Sequence, residues 1–167
     1  MKQSGIISVL ALTSAFTFSA GAASPQLECY ARGMDIDVTF YTPSIVRVLK
    51  HPKSVTTLPE SLVVIKTPEQ VNVKTAKSGN LMTAQSDVVK VTVNTNTGAV
   101  EFASPDGTGI LYDYSTSFSP ESHGGVGTYR VKTSFMLDED EPVYGIGQIM
   151  DGKFNRRNSS HHLQNEN

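Results

Sequence analysis

The chain has 167 residues, a formal net charge of −2, one cysteine and no tryptophan. The mildly acidic balance excludes the basic surplus that is typical of nucleic-acid-binding proteins, and a single cysteine excludes an intrachain disulfide. A (β/α)8 barrel needs roughly 250 residues, so the length excludes a complete barrel of this kind.

The first 23 residues have the pattern of a secretory signal peptide. Lys2 precedes an apolar stretch from Ile6 to Phe18, and small residues at positions 20–23 offer a cleavage site. Serine and threonine interrupt the apolar run, whereas a transmembrane helix would need about 20 predominantly apolar residues. We therefore predict a signal peptide at 1–23, a single domain at 24–167, and export to the periplasm or the extracellular space without membrane contact after cleavage.

Apolar and polar residues alternate through most of the predicted domain, with Gly, Pro, Asn and Asp in the gaps. Ile36, Val38 and Phe40, for example, point to one side of a strand. This pattern predicts an all-β fold, an antiparallel β-sandwich, because each strand would bury one face. The other predicted strand segments are Ile45 to Leu49, Leu62 to Ile65, Val71 to Val73, Val89 to Val93, Val100 to Phe102, Ile110 to Tyr114 and Tyr129 to Leu137.

Two turns and one loop are predicted between these segments. Asn94 to Gly98 forms a hairpin turn and Pro105 to Gly107 forms the next turn, which together give a meander. The stretch from Ser115 to Thr128 is rich in serine and glycine and has no periodicity. We therefore predict an exposed loop there.

Two groups of residues invite a metal-binding interpretation, and neither supports it. Asp138 to Glu141 supplies four carboxylates without the interspersed glycine and asparagine of a calcium loop, which predicts a solvated acidic turn. His161 and His162 are adjacent, so they point apart in a strand and suit one metal poorly. Cys29 is interpreted as a partly buried thiol in the first strand. No metal, cofactor or catalytic residue is assigned.

The segment from Glu141 to Asn158 differs from the strands before it. Gly145, Gly147 and Gly152 permit sharp bends, after which basic and amide side chains follow closely. One interpretation is a strand that leaves the sheet and continues as a solvated basic loop. The other is a loop that presents amide and guanidinium groups to a polyol.

Tyr144-Gly145-Ile146-Gly147-Gln148, followed by residues 152–158, resembles the end of the N-terminal β-sandwich of glycoside hydrolase family 31. That family contains α-glucosidases and α-xylosidases. The resemblance extends upstream to residues 44–49, 91–102 and 134–137 and covers most of the mature chain. It implies a galactose mutarotase-like sandwich that precedes a catalytic barrel.

The resemblance also implies a chemistry and a site. Retaining hydrolysis of α-glycosides needs two carboxyl groups about 5 Å apart, and in the family both are aspartates of the barrel. In mammalian relatives an Asn-Arg-Asp sequence lies on a loop that reaches the sugar, and Asn155, Arg156 and Arg157 match it, with arginine in place of aspartate. Asn155, Arg156, Arg157 and Asn158 are therefore the substrate-rim candidates. The expected partners are an α-linked oligosaccharide and the catalytic barrel of the same polypeptide, with no nucleic acid.

Three classes of function stay open. The first is the non-catalytic N-terminal domain of an exported retaining α-glycosidase, an α-glucosidase or α-xylosidase. The second is a stand-alone carbohydrate-binding module, for which Tyr112, Tyr114 and Phe118 are the candidate stacking platforms. The third is a structural sandwich without a ligand. The polar end at residues 163–167 favours truncation, and we expect an unpaired sheet edge that promotes association.

Overall fold

A computed structural model describes residues 25–58, 61–145 and 151–162. The predicted signal peptide lies outside these ranges. The described residues form nine β-strands, and among them there is no helix that could cross a membrane. The strands are β1 (Leu27–Ala31), β2 (Met34–Thr42), β3 (Ile45–Pro52), β4 (Lys74–Ser78), β5 (Leu81–Gln85), β6 (Lys90–Asn94), β7 (Val100–Ala103), β8 (Gly109–His123) and β9 (Val126–Met136).

The strands form two antiparallel sheets that follow chain order. β1, β2 and β3 make a three-stranded sheet, and β4 to β9 make a six-stranded sheet. Each strand pairs with the next one along the chain because the connections within each sheet are short turns. The predicted antiparallel β-sandwich is confirmed, and its two sheets are consecutive meanders.

The core lies between the two sheets. Ile36, Val38 and Phe40 of β2 are completely buried, and they pack in one cluster with Val91 and Val93 of β6, which are also completely buried. These residues occupy alternate positions, so each strand turns one row of apolar side chains inward. Burial of such side chains is worth about 1.5–3 kcal/mol each, and it is the main stabilising term for the sandwich.

Cys29 lies on β1 and is half-buried against this core, as predicted. Burial is the largest cause of a raised pKa for its thiol, and the nearby negative charges of Asp37 and Asp35 raise that pKa further. The thiol therefore behaves as a small apolar side chain at neutral pH.

The predicted hairpin turn between β6 and β7 is confirmed. Gly98 N donates to Asn94 O at 2.7 Å, and the Asn94 side chain accepts from Asn96 N at 2.9 Å. Gly98 has a φ of 75°, and a Cβ at this position would collide with the end of the Met34 side chain. Glycine is therefore required both by the backbone conformation and by the close approach of the other sheet.

The exposed loop predicted at Ser115 to Thr128 was wrong. β8 continues to His123 and β9 begins at Val126, so most of this stretch is a two-stranded ribbon. Gly124 and Gly125 have φ values of 57° and 81°, which suit a tight two-residue hairpin turn. Most side chains of β8 in this stretch are exposed, so its sequence shows no apolar alternation. The pairing with β9 is made by backbone hydrogen bonds, which need no particular side chain.

The strands predicted at Leu62 to Ile65 and at Val71 to Val73 were also wrong. Leu62 and Ile65 are 97% and 95% exposed, in an irregular connection between the two sheets. The Ser61 hydroxyl accepts a hydrogen bond from Val64 N at 3.1 Å, and such local bonding competes with strand pairing. Val71 and Val73 form no strand either, but they pack against the core as partly buried side chains.

A buried ion pair joins the two sheets. Lys50 Nζ of β3 lies 2.6 Å from Asp113 Oδ2 of β8, and the two side chains are 7% and 11% exposed. The same ammonium group donates to Gly98 O at 2.9 Å and to Thr116 Oγ1 at 3.2 Å, so all three of its protons are used. These contacts place β3 opposite β8.

We predict that Asp113→Ala lowers the free energy of unfolding by about 3–5 kcal/mol, because it leaves the Lys50 ammonium buried without a counter-charge. The double variant K50M/D113L removes both charges and is expected to lose much less stability. Urea unfolding followed by circular dichroism measures both effects. A single variant as stable as the double variant would contradict the buried pairing.

Candidate functional site

The candidate loop folds back on the chain that leaves β9. Arg156 N donates to Val143 O at 2.7 Å, and Val143 N donates to Asn155 Oδ1 at 3.0 Å. Gly145 and Gly152 have φ values of 103° and 70°, so two of the three predicted glycine bends are observed. Residues 146–150, which include Gly147 and Gln148 of the family-like motif, lie outside the described residues.

The acidic segment before this loop is a turn, as predicted. Glu141 N donates to Asp138 O at 3.2 Å, and the Glu141 carboxylate accepts from Asp138 N at 3.0 Å. Throughout residues 25–58, 61–145 and 151–162, no group of three or more His, Cys, Asp or Glu side chains could hold a metal ion. Within the turn, the Glu141 carboxylate bonds to the backbone of the same segment.

Arg157 caps this acidic turn. Its Nη1 donates to Asp138 O at 2.8 Å and to Glu141 O at 2.7 Å, and its backbone N donates to Asn155 Oδ1 at 3.0 Å. The guanidinium group is thus partly occupied by carbonyl oxygens of the same chain. Arg157 and Asn155 together fix the loop against the exit from β9.

Arg156 points into the loop and is only 8% exposed. Its Nη1 lies 2.5 Å from both carboxylate oxygens of Asp151. The side-chain hydrogen bond from Arg156 is the largest cause of a lowered Asp151 pKa, and the backbone hydrogen bond from Lys153 N adds to it, so that the pKa falls from 3.8 to about 2. This contact ties the two ends of the loop together.

Asn158, like Asn155, is a rim candidate with an exposed side chain. It is exposed, and its φ of 57° lies in the left-handed region that asparagine tolerates. Immediately after it, Ser159 Oγ donates to Arg156 O at 2.5 Å, and His161 Nε2 lies 2.9 Å from Ser159 Oγ. The loop therefore holds Asn158 at a bend while its neighbours bond inward.

An exposed aromatic pair flanks the candidate loop, and sequence analysis missed it. Tyr144 is 57% exposed and Phe154 is 82% exposed, and their ring centroids are 4.8 Å apart with an interplanar angle of 43°. The sequence signal for this pair is its position, because Tyr144 directly precedes Gly145 and Phe154 follows Gly152, and both glycines have positive φ. Such rings can stack on the apolar face of a sugar or pack against another protein surface.

The three candidate stacking residues Tyr112, Tyr114 and Phe118 are not all exposed. Tyr112 is 39% exposed and Tyr114 is 57% exposed, with ring centroids 6.4 Å apart. Phe118 instead packs towards the core and contacts Tyr129 edge to face. Tyr112 also lines a depression of about 180 Å³ beside Asp138 and Glu141. That volume is below the roughly 300–1,000 Å³ of most ligand pockets, so this depression is too small to enclose a disaccharide.

The structure brings three of the four rim candidates into one network. Asn155, Arg156 and Arg157 bond to the chain itself, and Asn158 stays exposed beside them. These contacts explain how the loop holds its shape. A sugar contact from any of the four residues stays a prediction.

Comparisons with family models and with curated proteins give results that agree with each other. The family model described as the glycosyl hydrolase 31 N-terminal galactose mutarotase-like domain matches residues 35–167. An α-xylosidase of Saccharolobus solfataricus is 28% identical over 131 residues, which cover 78% of this chain and 18% of that relative. The chain thus spans less than a fifth of the length of this relative.

A solved structure supports the fold independently. The crystal structure of the GH31 α-xylosidase from Xanthomonas citri superposes with a TM-score of 0.77 at 23% sequence identity. The superposition covers 87% of this chain and 16% of that chain. At this identity the likeness concerns the fold, and it places the described sandwich as one part of a much longer protein in that structure.

We predict that the Asp151 carboxyl titrates near pH 2 and that Arg156→Gln returns its midpoint towards 3.8. The lowered pKa favours the folded loop at pH values above 3.8, and this contribution is lost as the pH falls through about 2. Carbon-detected NMR of the side-chain carboxyl measures both midpoints. Asp106 is a control, because the Ser104 hydroxyl is the main cause of its own lowered pKa and its titration should not respond to the substitution. An unchanged Asp151 midpoint in the variant would contradict the contact.

Proposed function

Because the chain belongs to the family of glycosyl hydrolase 31 N-terminal galactose mutarotase-like domains, we propose that it serves as the non-catalytic front domain of an exported retaining α-glycosidase. The family match over residues 35–167 carries this proposal. The chain spans 18% of the S. solfataricus α-xylosidase, and this likeness supports an α-xylosidase-like enzyme as the longer protein. We propose that the remaining polypeptide supplies the catalytic barrel and that the sandwich packs against it.

The chemistry of the loop supports a non-catalytic role. A retaining glycosidase needs one carboxyl group that donates a proton and a second that acts as nucleophile, about 5 Å apart. Asp151 is held as an ion pair with Arg156, and its pKa of about 2 makes it a poor proton donor at neutral pH. The Glu141 carboxylate accepts a hydrogen bond from Asp138 N within the acidic turn. We therefore assign both catalytic carboxyl groups to the barrel.

We propose that the candidate loop forms an outer wall of the sugar site. Asn155 and Arg156 hold the shape of the loop through hydrogen bonds. Next to them in the chain, Arg157 is half-buried and Asn158 is exposed. The amide of Asn158 can both donate to and accept from sugar hydroxyls. The α-xylosidase relatives favour an α-linked xylosyl or glucosyl oligosaccharide as the substrate.

In the full-length enzyme, Asn158→Gly is expected to raise KM for isoprimeverose or maltose about five- to tenfold with little change in kcat. Glycine keeps the left-handed backbone but removes the amide, and one lost hydrogen bond is worth about 1 kcal/mol. Lys153→Ala is the matched control, since Lys153 is exposed in the same loop. Steady-state kinetics measures the effect, and equal KM values in the two variants would remove Asn158 from the sugar site.

The exposed aromatic pairs favour a second candidate function, a stand-alone carbohydrate-binding module. Tyr144 with Phe154, and Tyr112 with Tyr114, each present partly exposed ring faces. Such a module would bind sugar without any help from a barrel, because stacking on aromatic rings needs only an accessible platform.

Two measurements on the isolated chain separate these functions. The proposed front domain should neither hydrolyse an α-linked aryl glycoside nor bind maltose or isoprimeverose in calorimetry. Saturable sugar binding that is lost in Phe154→Ala would favour the module. Hydrolysis by the purified chain alone would overturn the non-catalytic assignment.

A further inference from the structure

Two aspartates of the chain directly precede a glycine. Asp106–Gly107 lies in the turn between β7 and β8, and Asp151–Gly152 lies in the candidate loop. An Asp-Gly pair can isomerise without an enzyme, because glycine has no side chain that would keep its backbone nitrogen away from the aspartate carboxyl carbon. Both pairs are therefore chemically competent for this change, and the structure around each pair determines its rate.

The isomerisation proceeds in two steps that conserve the composition of the chain. The glycine nitrogen loses its proton and forms a bond to the aspartate carboxyl carbon. The C–OH bond of that carbon breaks, the oxygen keeps the bonding electron pair, and one water leaves, so that a five-membered succinimide remains. Water then adds to the ring and breaks the bond between the nitrogen and the original backbone carbonyl carbon. The main chain of the product runs through the former side chain, which is isoaspartate, and no oxidant, metal or cofactor takes part.

At both sites the carboxyl group is folded back over the peptide group of the glycine. Lys153 N donates to Asp151 Oδ1 at 3.0 Å, and Thr108 N donates to Asp106 Oδ1 at 3.1 Å. A bond from the nitrogen two residues later is the contact of an Asx turn. It keeps the carboxyl group on the side of the glycine nitrogen that would attack it, so the two sites are alike in the approach of their reacting groups.

The two sites differ in the group that holds the carboxylate. Arg156 Nη1 lies 2.5 Å from both oxygens of Asp151. At Asp106 the donor is the neutral Ser104 hydroxyl. Only a protonated carboxyl group can release its oxygen as water, and a guanidinium group favours the ionised form more strongly than a hydroxyl does. Asp151 is thus restrained by a cation, and Asp106 by the contacts of its own turn.

The loop fixes Arg156 in the position that this restraint needs. Its side chain is only 8% exposed. Arg156 N donates to Val143 O at 2.7 Å, and Arg156 O accepts from Ser159 N at 3.2 Å and from Ser159 Oγ at 2.5 Å. Separation from Asp151 would remove a counter-charge from a buried guanidinium group, which is costly. The carboxylate is therefore released only when the loop opens.

We propose that Asp151–Gly152 is a modification site, at which the buried Arg156 guanidinium holds back spontaneous isoaspartate formation. When the ion pair breaks, the carboxyl group can take up a proton and the succinimide can close. Isoaspartate adds one carbon to the main chain and moves the carboxylate, so the same pairing with Arg156 does not re-form. A transient opening of the loop thereby becomes a permanent one.

The test follows isoaspartate in the 167-residue chain during prolonged incubation at neutral pH. Peptide mapping with electron-transfer fragmentation distinguishes aspartate from isoaspartate at each position, although their masses are equal. Arg156→Gln is expected to raise the conversion rate at Asp151 at least about tenfold, because a carboxyl pKa that returns from about 2 towards 3.8 increases the protonated fraction by more than one factor of ten. The rate at Asp106 should not change.

Two further variants separate the cation from the rest of the loop. Arg156→Lys keeps a positive charge beside Asp151, and it is expected to retain most of the protection. Ser104→Ala is the reciprocal variant, since it removes the hydroxyl that bonds to Asp106 and leaves the candidate loop intact. It should raise the rate at Asp106 and leave the rate at Asp151 unchanged.

Three results would overturn the proposal. Equal conversion at Asp151 in the natural chain and in Arg156→Gln would show that the guanidinium group holds nothing back. Faster conversion at both Asp-Gly pairs in Arg156→Gln would assign the protection to the fold as a whole. An equal rise in Arg156→Lys and Arg156→Gln would separate the protection from the positive charge. The conversion needs neither a sugar nor a catalytic barrel, so failure here is distinct from failure of the proposed function.

Discussion

The Lys50 ammonium group determines how the two sheets face each other. It reaches from β3 to a carboxylate, a backbone carbonyl and a hydroxyl of the six-stranded sheet, and it is nearly inaccessible to solvent. Apolar contacts alone tolerate sliding of one sheet over the other, whereas a buried charge has low energy only where its partners are. The position of β3 over β8 depends on this registration.

The strands with apolar alternation in their sequence were predictable, and those without it were not. Ile36, Val38 and Phe40 alternate with polar residues because one face of their strand is buried in the core, and the structure confirms this strand. The serine-rich half of β8 had no such signal, since its pairing with β9 rests on backbone hydrogen bonds. The apolar run at 62–65 gave the opposite error, because its composition suits a strand but no neighbouring strand pairs with it in the described structure.

At the candidate loop, the sequence predicted the residues but not the directions of their side chains. Arginines and an asparagine after a glycine-rich bend suggest groups offered to a ligand, yet the Arg156 guanidinium is buried against Asp151. The choice between inward and outward bonding depends on which carbonyl and carboxylate groups lie nearby in space. For Arg157 those groups come from the acidic turn, as its hydrogen bond to Asp138 O, 19 residues earlier, illustrates. For Arg156 the carboxylate is that of Asp151, five residues earlier. The aromatic pair of Tyr144 and Phe154 was overlooked for the same reason, because its two members meet only after the bend.

Half-burial of Cys29 has a consequence for the redox behaviour of the chain. Thiol–disulfide exchange proceeds through the thiolate, and both burial and the neighbouring aspartates keep that form scarce. In an oxidising compartment, a single reactive cysteine would couple two molecules or capture glutathione. In the folded sandwich the protonated thiol on β1 instead reacts slowly with such partners, so the folded chain resists formation of a mixed disulfide at its first strand.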